Sequence, residues 1–449
     1  MQSLSILSAN GLPNLILHGL GAAPVLRGCT RRPATEANEA GWVLEEYRLV
    51  MEGSPQELDE VLRGLEDRLG RAAHGETLHL QMVPYHGCRP WGSPLLGGEI
   101  AFLDEGSSSR GRGAQVLLLR LRRGDFWQAE QHEAPLSNAY GHAVTGGLPL
   151  DNHSDGGSHT AFVTVEDGAL VGDLPAPARL ELFNDVGSPT SALQEIFLGC
   201  YLDANSPPPD LTLQGESATP APDVSSSLVS DVGSANGLFR RCTWLTGGEQ
   251  VLLNWPLPPG LLSALNNRPV LPLLRLATPG AENDLWASWR VCFGEQTLFS
   301  SELGLLLPNR ALQVLPGLRL PPAILPGETP PAGLTLQLVL TRLSSTARQL
   351  DVDFVTLLPL DGWRSLRPLA HSHGGLPPGA TWMDDPTRHL SWSVDPAQGE
   401  LITHACLGEP LVVWPGHRQR IYLLHGGIEM DIHHTTRLRL LYWPRRRAL

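Results

Sequence analysis

Residues 334–342, LTLQLVLTR, and residues 350–363, LDVDFVTLLPLDGW, contain the clearest secondary-structure signal in this chain. In the first segment every even-numbered residue is leucine up to position 340, and the odd-numbered positions are mostly polar. In the second segment Asp351 and Asp353 alternate with apolar residues. Alternation with a period of two is typical of strands with one buried face. The two segments are therefore predicted to be adjacent strands on one face of a β-sandwich.

The rest of the chain also reads as short strands, interrupted by 39 prolines and 47 glycines. One helix is predicted, at residues 55–73, where leucines and a valine recur at i, i+3, i+4 and i+7. Ser54 and Glu57 match a capping box, and Pro55 suits the first helical position. The predicted fold class is all-β, mainly β-sandwich or jelly-roll domains, with one amphipathic helix in the N-terminal domain.

A chain of 449 residues is too long for one ordinary sandwich, so several domains are expected. Residues 1–150 are predicted to form an N-terminal β-sandwich that carries the helix. Residues 151–369 are predicted to form an inserted jelly-roll or lectin-like sandwich. Residues 370–449 form either a small third domain or strands that complete the N-terminal domain, and their small number favours the second alternative.

Composition argues against several classes of function. The net charge of −13 argues against broad nucleic-acid binding. No apolar run reaches the roughly 18 residues of a membrane span, and the N-terminus lacks the basic region of a signal peptide. The six cysteines contain no CxxC pair, so neither a zinc ribbon nor thioredoxin-like chemistry is expected. All 33 basic residues are arginine, which is suited to bidentate pairing with carboxylates.

Three groups of histidines and carboxylates are candidate metal ligands. Their spacing matches no metal-site pattern, and polar loops are the favoured interpretation, so no metal and no cofactor is predicted. His371 and His373 could lie on one strand face, whereas the adjacent residues His433 and His434 point to opposite faces. The groups are His142, Asp151, His153, Asp155 and His159; His371 and His373; and His433 and His434.

No catalytic constellation is predicted, and we expect a protein without enzymatic activity. The nucleophile elbow GxSxG is absent. Asp351 and Asp353 would lie about 7 Å apart on one strand face, a separation that suits glycoside hydrolysis or calcium binding. The favoured alternative is that these two carboxylates face solvent or pair with arginines.

Two sets of residues are candidates for binding. Trp382 and Trp392 lie in a loop-rich stretch and are the predicted sugar-stacking side chains among the twelve tryptophans. Arg445, Arg446 and Arg447 near the C-terminus are predicted to dock onto an acidic neighbouring subunit, with a solvated tail as the alternative.

Four sequence segments resemble those of structural tail proteins of long-tailed bacteriophages and prophage-like particles, of the distal-tail or tail-tip type. They are a Gly-Trp opening followed by a strand and a helix (residues 41–73), GDLPAPARLELFND (172–185), DVDFVTLLPLDGW (351–363) and an aromatic-Pro-Arg ending (442–447). The length of this chain departs from that of small distal-tail proteins, which leaves its position in a particle open.

The resemblance implies a virion or tail-like-particle subunit, made in the bacterial cytoplasm, that forms a homo-oligomeric ring or tube. Its implied partners are copies of itself, other tail proteins and a surface glycan bound by a lectin-like sandwich. The alternative hypothesis is a stand-alone carbohydrate-binding or glycan-cleaving β-sandwich protein. Saccharide binding that is lost in Trp382→Ala or Trp392→Ala would support glycan binding, and closed rings or tubes would support the particle subunit.

Overall fold

The chain divides into two compact units in the computed structural model. The N-terminal unit comprises Met1–His132, Val171–Ala176 and Trp443–Leu449, and the large unit comprises Glu133–Leu170 and Pro177–Tyr442. The structure describes all residues except 9–12, 34–40, 103–113, 139–140, 143–146, 152–160, 186–191, 204–210, 245–246, 266–267, 281–283, 321–331, 343–347, 361–362, 369–373, 395–398 and 427–433, and the side chains of residues 114, 141, 142 and 203.

The N-terminal unit is built on one antiparallel sheet, within the part of the chain that is described. With strands numbered in chain order, its path is β2-β1-β5-β6-β7-β4-β3, and β8 pairs with both β6 and β37. A sandwich of two sheets was predicted here, whereas the strands belong to a single sheet. They are β1 Ser3–Ser8, β2 Leu15–His18, β3 Leu26–Arg32, β4 Trp42–Glu52, β5 Leu78–Val83, β6 Trp91–Phe102, β7 Ala114–Gly124, β8 Trp127–Gln128 and β37 Arg445–Arg446.

Helix α1, Pro55–Ala73, confirms the predicted helix and its cap. The Ser54 hydroxyl accepts a hydrogen bond from the Glu57 N–H, and the Glu57 carboxylate accepts one from the Ser54 N–H at 2.9 Å. The apolar stripe of α1 packs into the same core as the inward side chains of the sheet. The helix therefore covers the face that a second sheet would cover in a sandwich.

Two sheets of the large unit are formed by chain segments that flank a long insertion. Their strand orders are β11-β10-β13-β35-β15-β29-β33 and β12-β36-β14-β30-β31-β32, with β34 paired to β14. The strands are β9 His132–Glu133 at the unit boundary, β10 Ser137–Asn138, β11 Gly141–His142, β12 Leu148–Leu150, β13 Phe162–Val165, β14 Ala176–Asn184, β15 Glu195–Asp203, β29 Arg364–Leu366, β30 Thr381–Asp385, β31 Leu390–Val394, β32 Leu401–Thr403, β33 Cys406–Gly408, β34 Val412–Val413, β35 Arg418–Gly426 and β36 Thr436–Tyr442.

The insertion lies between β15 and β29 and forms two further antiparallel sheets. Their orders are β18-β19-β28-β21-β25, with β16 on β28 and β26 on β21, and β17-β20-β27-β22-β23, with β24 on β22. The elements are β16 Thr212–Gln214, β17 Thr219–Pro220, β18 Ser225–Ser230, β19 Leu238–Trp244, β20 Gly248–Pro256, α2 Pro259–Leu265, β21 Pro269–Thr278, β22 Leu285–Phe293, β23 Gln296–Ser300, β24 Gly304–Leu305, β25 Leu312–Val314, β26 Leu318–Arg319, β27 Leu334–Arg342 and β28 Arg348–Pro359.

Each pair of sheets in the large unit is joined across its interior. In the flanking pair, Arg364 on β29 makes a bidentate ion pair with Asp384 on β30, at 2.7 and 2.8 Å. In the insertion, the leucines of β27 share one core with Val352 and Phe354 of β28. Both pairs are therefore β-sandwiches, and the all-β class predicted from the sequence is confirmed.

Strand pairing differs from the predicted division in two ways. Residues 334–342 and 350–363 were predicted to be adjacent strands, but the corresponding strands β27 and β28 lie in opposite sheets of one sandwich. The strands after residue 370 pair mainly with β13, β14 and β15, and β37 alone among them joins the N-terminal sheet. Alternation identifies a strand and its buried face but carries no information about its partner.

Among the described residues, neither α-helix is long and apolar enough to cross a membrane.

Candidate functional site

The tryptophans predicted to stack on sugars are buried. The Trp382 ring is fully enclosed, and its Nε1–H donates to Ser391 Oγ at 2.7 Å. The Trp392 side chain is also buried, and the Arg179 guanidinium lies 5.4 Å from the centre of its ring. The stacking role predicted for both therefore fails, because neither ring presents a face to solvent. They lie on the paired strands β30 and β31, where the sequence suggested a loop.

The arginines near the C-terminus are held against the N-terminal sheet. Arg445 donates from Nε to Gln128 Oε1 at 3.0 Å, and its guanidinium lies 3.9 Å from the centre of the Phe126 ring. Arg446 and Arg447 are exposed. The segment is thus a paired strand and not a hanging tail, and docking of Arg446 and Arg447 onto a neighbouring subunit stays a prediction.

Several candidate ligands lie outside the described residues: His153, Asp155, His159, His371, His373, His433 and the side chain of His142. Asp151 is buried. His434 lies against Asn184 Oδ1 at 2.6 Å and against the His425 ring, whose centre is 4.7 Å away. Burial holds the pKa of His425 well below its usual range. No group of three potential metal ligands occurs in the described part of the chain.

The paired aspartates of β28 are structural. Asp351 accepts two hydrogen bonds from Arg241, both at 2.9 Å, and Asp353 forms an ion pair with Arg275. Asp353 also accepts the Ala235 N–H at 3.1 Å. Both carboxylates are buried, so neither faces a cleft in which a glycosidic bond could lie. The alternative of pairing with arginine is the one the structure bears out.

A serine–histidine contact also lies in the flanking sandwich. Ser393 Oγ and His404 Nε2 are 2.6 Å apart, which is the distance expected between a nucleophile and its base. Ser393 is fully buried, so a substrate could not reach its hydroxyl without movement of β31. This pair therefore has the spacing of a catalytic dyad without the access that nucleophilic catalysis requires.

The feature that best fits a binding site is a cavity of about 400 Å³ in the large unit. We call it the Trp414 cavity. One wall is β15, and another is the segment that contains β34. Its volume lies within the range of ligand pockets, and its lining is mainly apolar with two charged side chains. The lining residues are Cys200, Leu202, Arg268, Glu409, Pro410, Val412 and Trp414.

Strand alternation places Trp414 at this cavity. Leu411 and Val413 are buried, whereas Val412 and Trp414 point the other way and line the cavity. The Trp414 ring stays 38% exposed and lies edge-on to the His417 ring, with 6.4 Å between the ring centres. The sequence could not indicate whether the odd-numbered or the even-numbered residues of this segment face the core.

The buried Gln419 side chain holds the wall that carries Trp414. Its amide nitrogen donates to the Val412 carbonyl at 2.7 Å and lies against Cys200 Sγ. Its amide oxygen accepts the Trp414 N–H at 3.3 Å. Gln419 is on β35, which pairs with β15, so both walls of the cavity are fixed to one rigid strand pair.

The chemistry of the cavity suits a polyhydroxylated ligand. An exposed indole provides a flat apolar surface against which the C–H face of a sugar ring can stack. Arg268 can donate hydrogen bonds to hydroxyl groups, and the exposed Glu409 carboxylate can accept them. Arg268 also lies 5.0 Å from the centre of the Tyr201 ring, a contact that orients its guanidinium.

A second exposed tryptophan lies on the insertion. Trp286 on β22 is 38% exposed, the same fraction as Trp414. It lies on the outer sheet face that carries the Arg290–Glu249 ion pair. This pair joins the strands on either side of β27. Trp286 is therefore a matched reference for Trp414.

Comparison with known proteins yields little that bears on this site. No family model matches the chain, and no curated protein matches it. Among solved structures, the N-terminal CBM22-1-CBM22-2 tandem domain of Xyn10C from Paenibacillus barcinonensis is similar over 57% of this chain and 99% of that chain. The identity is 9% and the TM-score is 0.20, values at which the likeness carries no argument about ligand or mechanism.

Proposed function

We propose that the protein is a structural subunit of a phage tail or tail-like particle that binds a glycan in the Trp414 cavity. The observation that carries the glycan part is one exposed tryptophan ring at a cavity that also holds an arginine and a carboxylate. Aromatic stacking gives affinity for a sugar ring, and charged groups select the positions of its hydroxyls. Trp286 is equally exposed but does not line this cavity.

Three of the lining residues have distinct roles in this proposal. Trp414 stacks on one sugar ring, and Arg268 and Glu409 hydrogen-bond to its hydroxyl groups from the sides. Gln419 does not touch the ligand, and it positions Trp414 through the backbone N–H. No bond is made or broken in the bound sugar, so the ligand is released unchanged.

Replacement of Trp414 by alanine is expected to weaken glycan binding at least about tenfold, because the stacking surface is lost. The measurement is a glycan array with the intact protein, followed by calorimetry with the best-bound saccharide. Trp286→Ala is the matched control, since it removes an equally exposed indole from the same unit, and it is expected to bind normally.

Two results would count against the glycan proposal. One is an array without any signal for the intact protein. The other is unchanged affinity in the Trp414→Ala variant. Loss of binding in Trp286→Ala alone would move the site to the outer face of the insertion and overturn the assignment to the cavity.

The particle-subunit part rests on the four sequence segments that resemble those of tail proteins. They fall on β4 and α1, on β14 and the loop before it, on β28, and on the end of β36 through β37. Light scattering with negative-stain imaging of the purified protein tests it. We expect closed rings or stacked tubes, and a monomer at every concentration would contradict self-assembly.

A further inference from the structure

The outer face of the N-terminal sheet carries a row of alternating charges. α1 covers the other face, and the outward residues of β6, β7, β4 and β3 lie in register across four neighbouring strands. One row consists of Glu99, Arg120, Glu46 and Arg32, which we call the charge row. Arg120 contacts both carboxylates at 2.9 Å, and Arg32 lies 3.5 Å from Glu46.

The charge row is open to solvent. Its side chains are between 25% and 84% exposed. Val50 and Leu44 on the same face of β4 are also exposed. An open sheet face with exposed apolar residues on either side of a charge row is a candidate protein interface.

The order of the charges makes this row complementary to itself. The sequence along the row is acid, base, acid, base, so a two-fold rotation about an axis parallel to the strands reverses it to base, acid, base, acid. Arg120 then faces Glu46 of a second copy, and Arg32 faces Glu99 of that copy. The same rotation brings Val50 over Val116, its neighbour on β7, in the second copy. Sheets pack in such face-to-face arrangements about 10 Å apart.

The dimensions set the expected strength. Four strands with a spacing of about 4.8 Å and about eight residues each cover roughly 500 Å² per copy. This is below the roughly 800 Å² per partner of a standard interface, so the contact is expected to be weak and sensitive to salt.

We propose that the charge row is a self-association surface that pairs two copies of this chain, sheet face to sheet face, about a two-fold axis. It deepens the self-assembly part of the proposed function and is independent of glycan binding. The partner is a second copy of this chain, because the charge row in reversed order places an opposite charge against each of its own charges.

The test is sedimentation velocity of the full chain over a concentration series up to about 100 µM, in low and high salt. We expect salt-sensitive association whose smallest unit is a dimer, either free or within a ring or tube. Arg120→Glu is expected to raise the dimer Kd at least about tenfold, because it places two carboxylates face to face. Glu46→Arg combined with Arg120→Glu restores opposite charges across the two-fold axis and is expected to restore the dimer.

The matched control is Arg63→Glu, an equal charge reversal on the exposed side of α1, which is expected to leave the dimer unchanged. A dimer unaffected by Arg120→Glu, or one lost and not restored by the double variant, would overturn the proposal. So would a wild-type chain without any salt-sensitive association. If rings or tubes persist in Arg120→Glu, the self-assembly proposal is retained, and only the charge row is excluded as its contact surface.

Discussion

Glu45→Ala is expected to destabilise the N-terminal unit by about 3–5 kcal/mol, since it leaves buried cations unpaired. Glu45 is fully buried on β4, between Arg31 and Arg123, and forms ion pairs with both. Both guanidinium groups also lie over the Trp127 ring, at 5.5 and 4.5 Å from its centre. Without the carboxylate, the two buried guanidinium groups keep hydrogen bonds to main-chain oxygens of Leu449 and Gly124 and their contacts with one ring, but they lose their charged partner.

The measurement is amide hydrogen exchange in β4 and β7, because it reports the opening of this unit separately from the large unit. The expected change is an increase of about 100-fold or more in the exchange rates of the most protected amides. Glu52→Ala is the control on the same strand, since Glu52 is 60% exposed in its pair with Arg27. It is expected to change stability by less than about 1 kcal/mol. Equal effects of the two substitutions would contradict the assigned role of Glu45.

Arg275→Met is expected to destabilise the insertion by a similar amount, about 3–5 kcal/mol at neutral pH. Arg275 is the buried partner of Asp353, and it also donates to the Gly233 carbonyl at 2.8 Å. Asp353 in turn accepts the Ala235 N–H. The pair therefore connects the segment around residues 233–235 to β28. Methionine at position 275 leaves the buried Asp353 carboxylate without its positively charged partner.

The size of this effect should depend on pH in a defined direction. Burial raises the pKa of Asp353 to about 6 even with Arg275 present. An acid whose pKa is higher in the folded than in the unfolded state costs stability as pH rises through the folded pKa. Without Arg275 that pKa rises further, so the variant should be closest to wild type near pH 4 and least stable at pH 8.

Hydrogen exchange in β21 and β28 at several pH values measures this effect. Arg241→Met is the matched control, because its partner Asp351 is on the same strand while the Arg241 side chain is 38% exposed. Water can replace much of that contact, so a smaller loss is expected. A loss in Arg275→Met that is the same at all pH values would argue against a charged Asp353 as its cause.

The sequence was most informative where the signal is local. Residues 54–57 contain a capping box, and α1 begins there. The alternating leucines of residues 334–342 are all buried. Such patterns follow from the backbone periodicity of one element, and they do not depend on what that element packs against.

The solvent exposure of the tryptophan side chains could not be predicted from such local patterns. Trp382 and Trp392 lie in a stretch rich in proline and glycine, yet they fall on paired strands and are buried. Trp414 shares its strand with apolar residues, and its ring is exposed at a cavity. Side-chain type gives a preference for burial, but the neighbours that cover a ring come from distant parts of the chain.

The sequence by itself determined the all-β class, the strand alternation and the single long amphipathic helix, because each depends on residues a few positions apart. The tertiary structure alone decided the pairing of strands and the place of the insertion. Ala178 pairs with Tyr442, and Ile196 with His425, across more than 200 residues of chain. Such contacts, and with them the Trp414 cavity, the Glu45 ion pairs and the charge row, depend on the long-range arrangement that buries the most apolar surface.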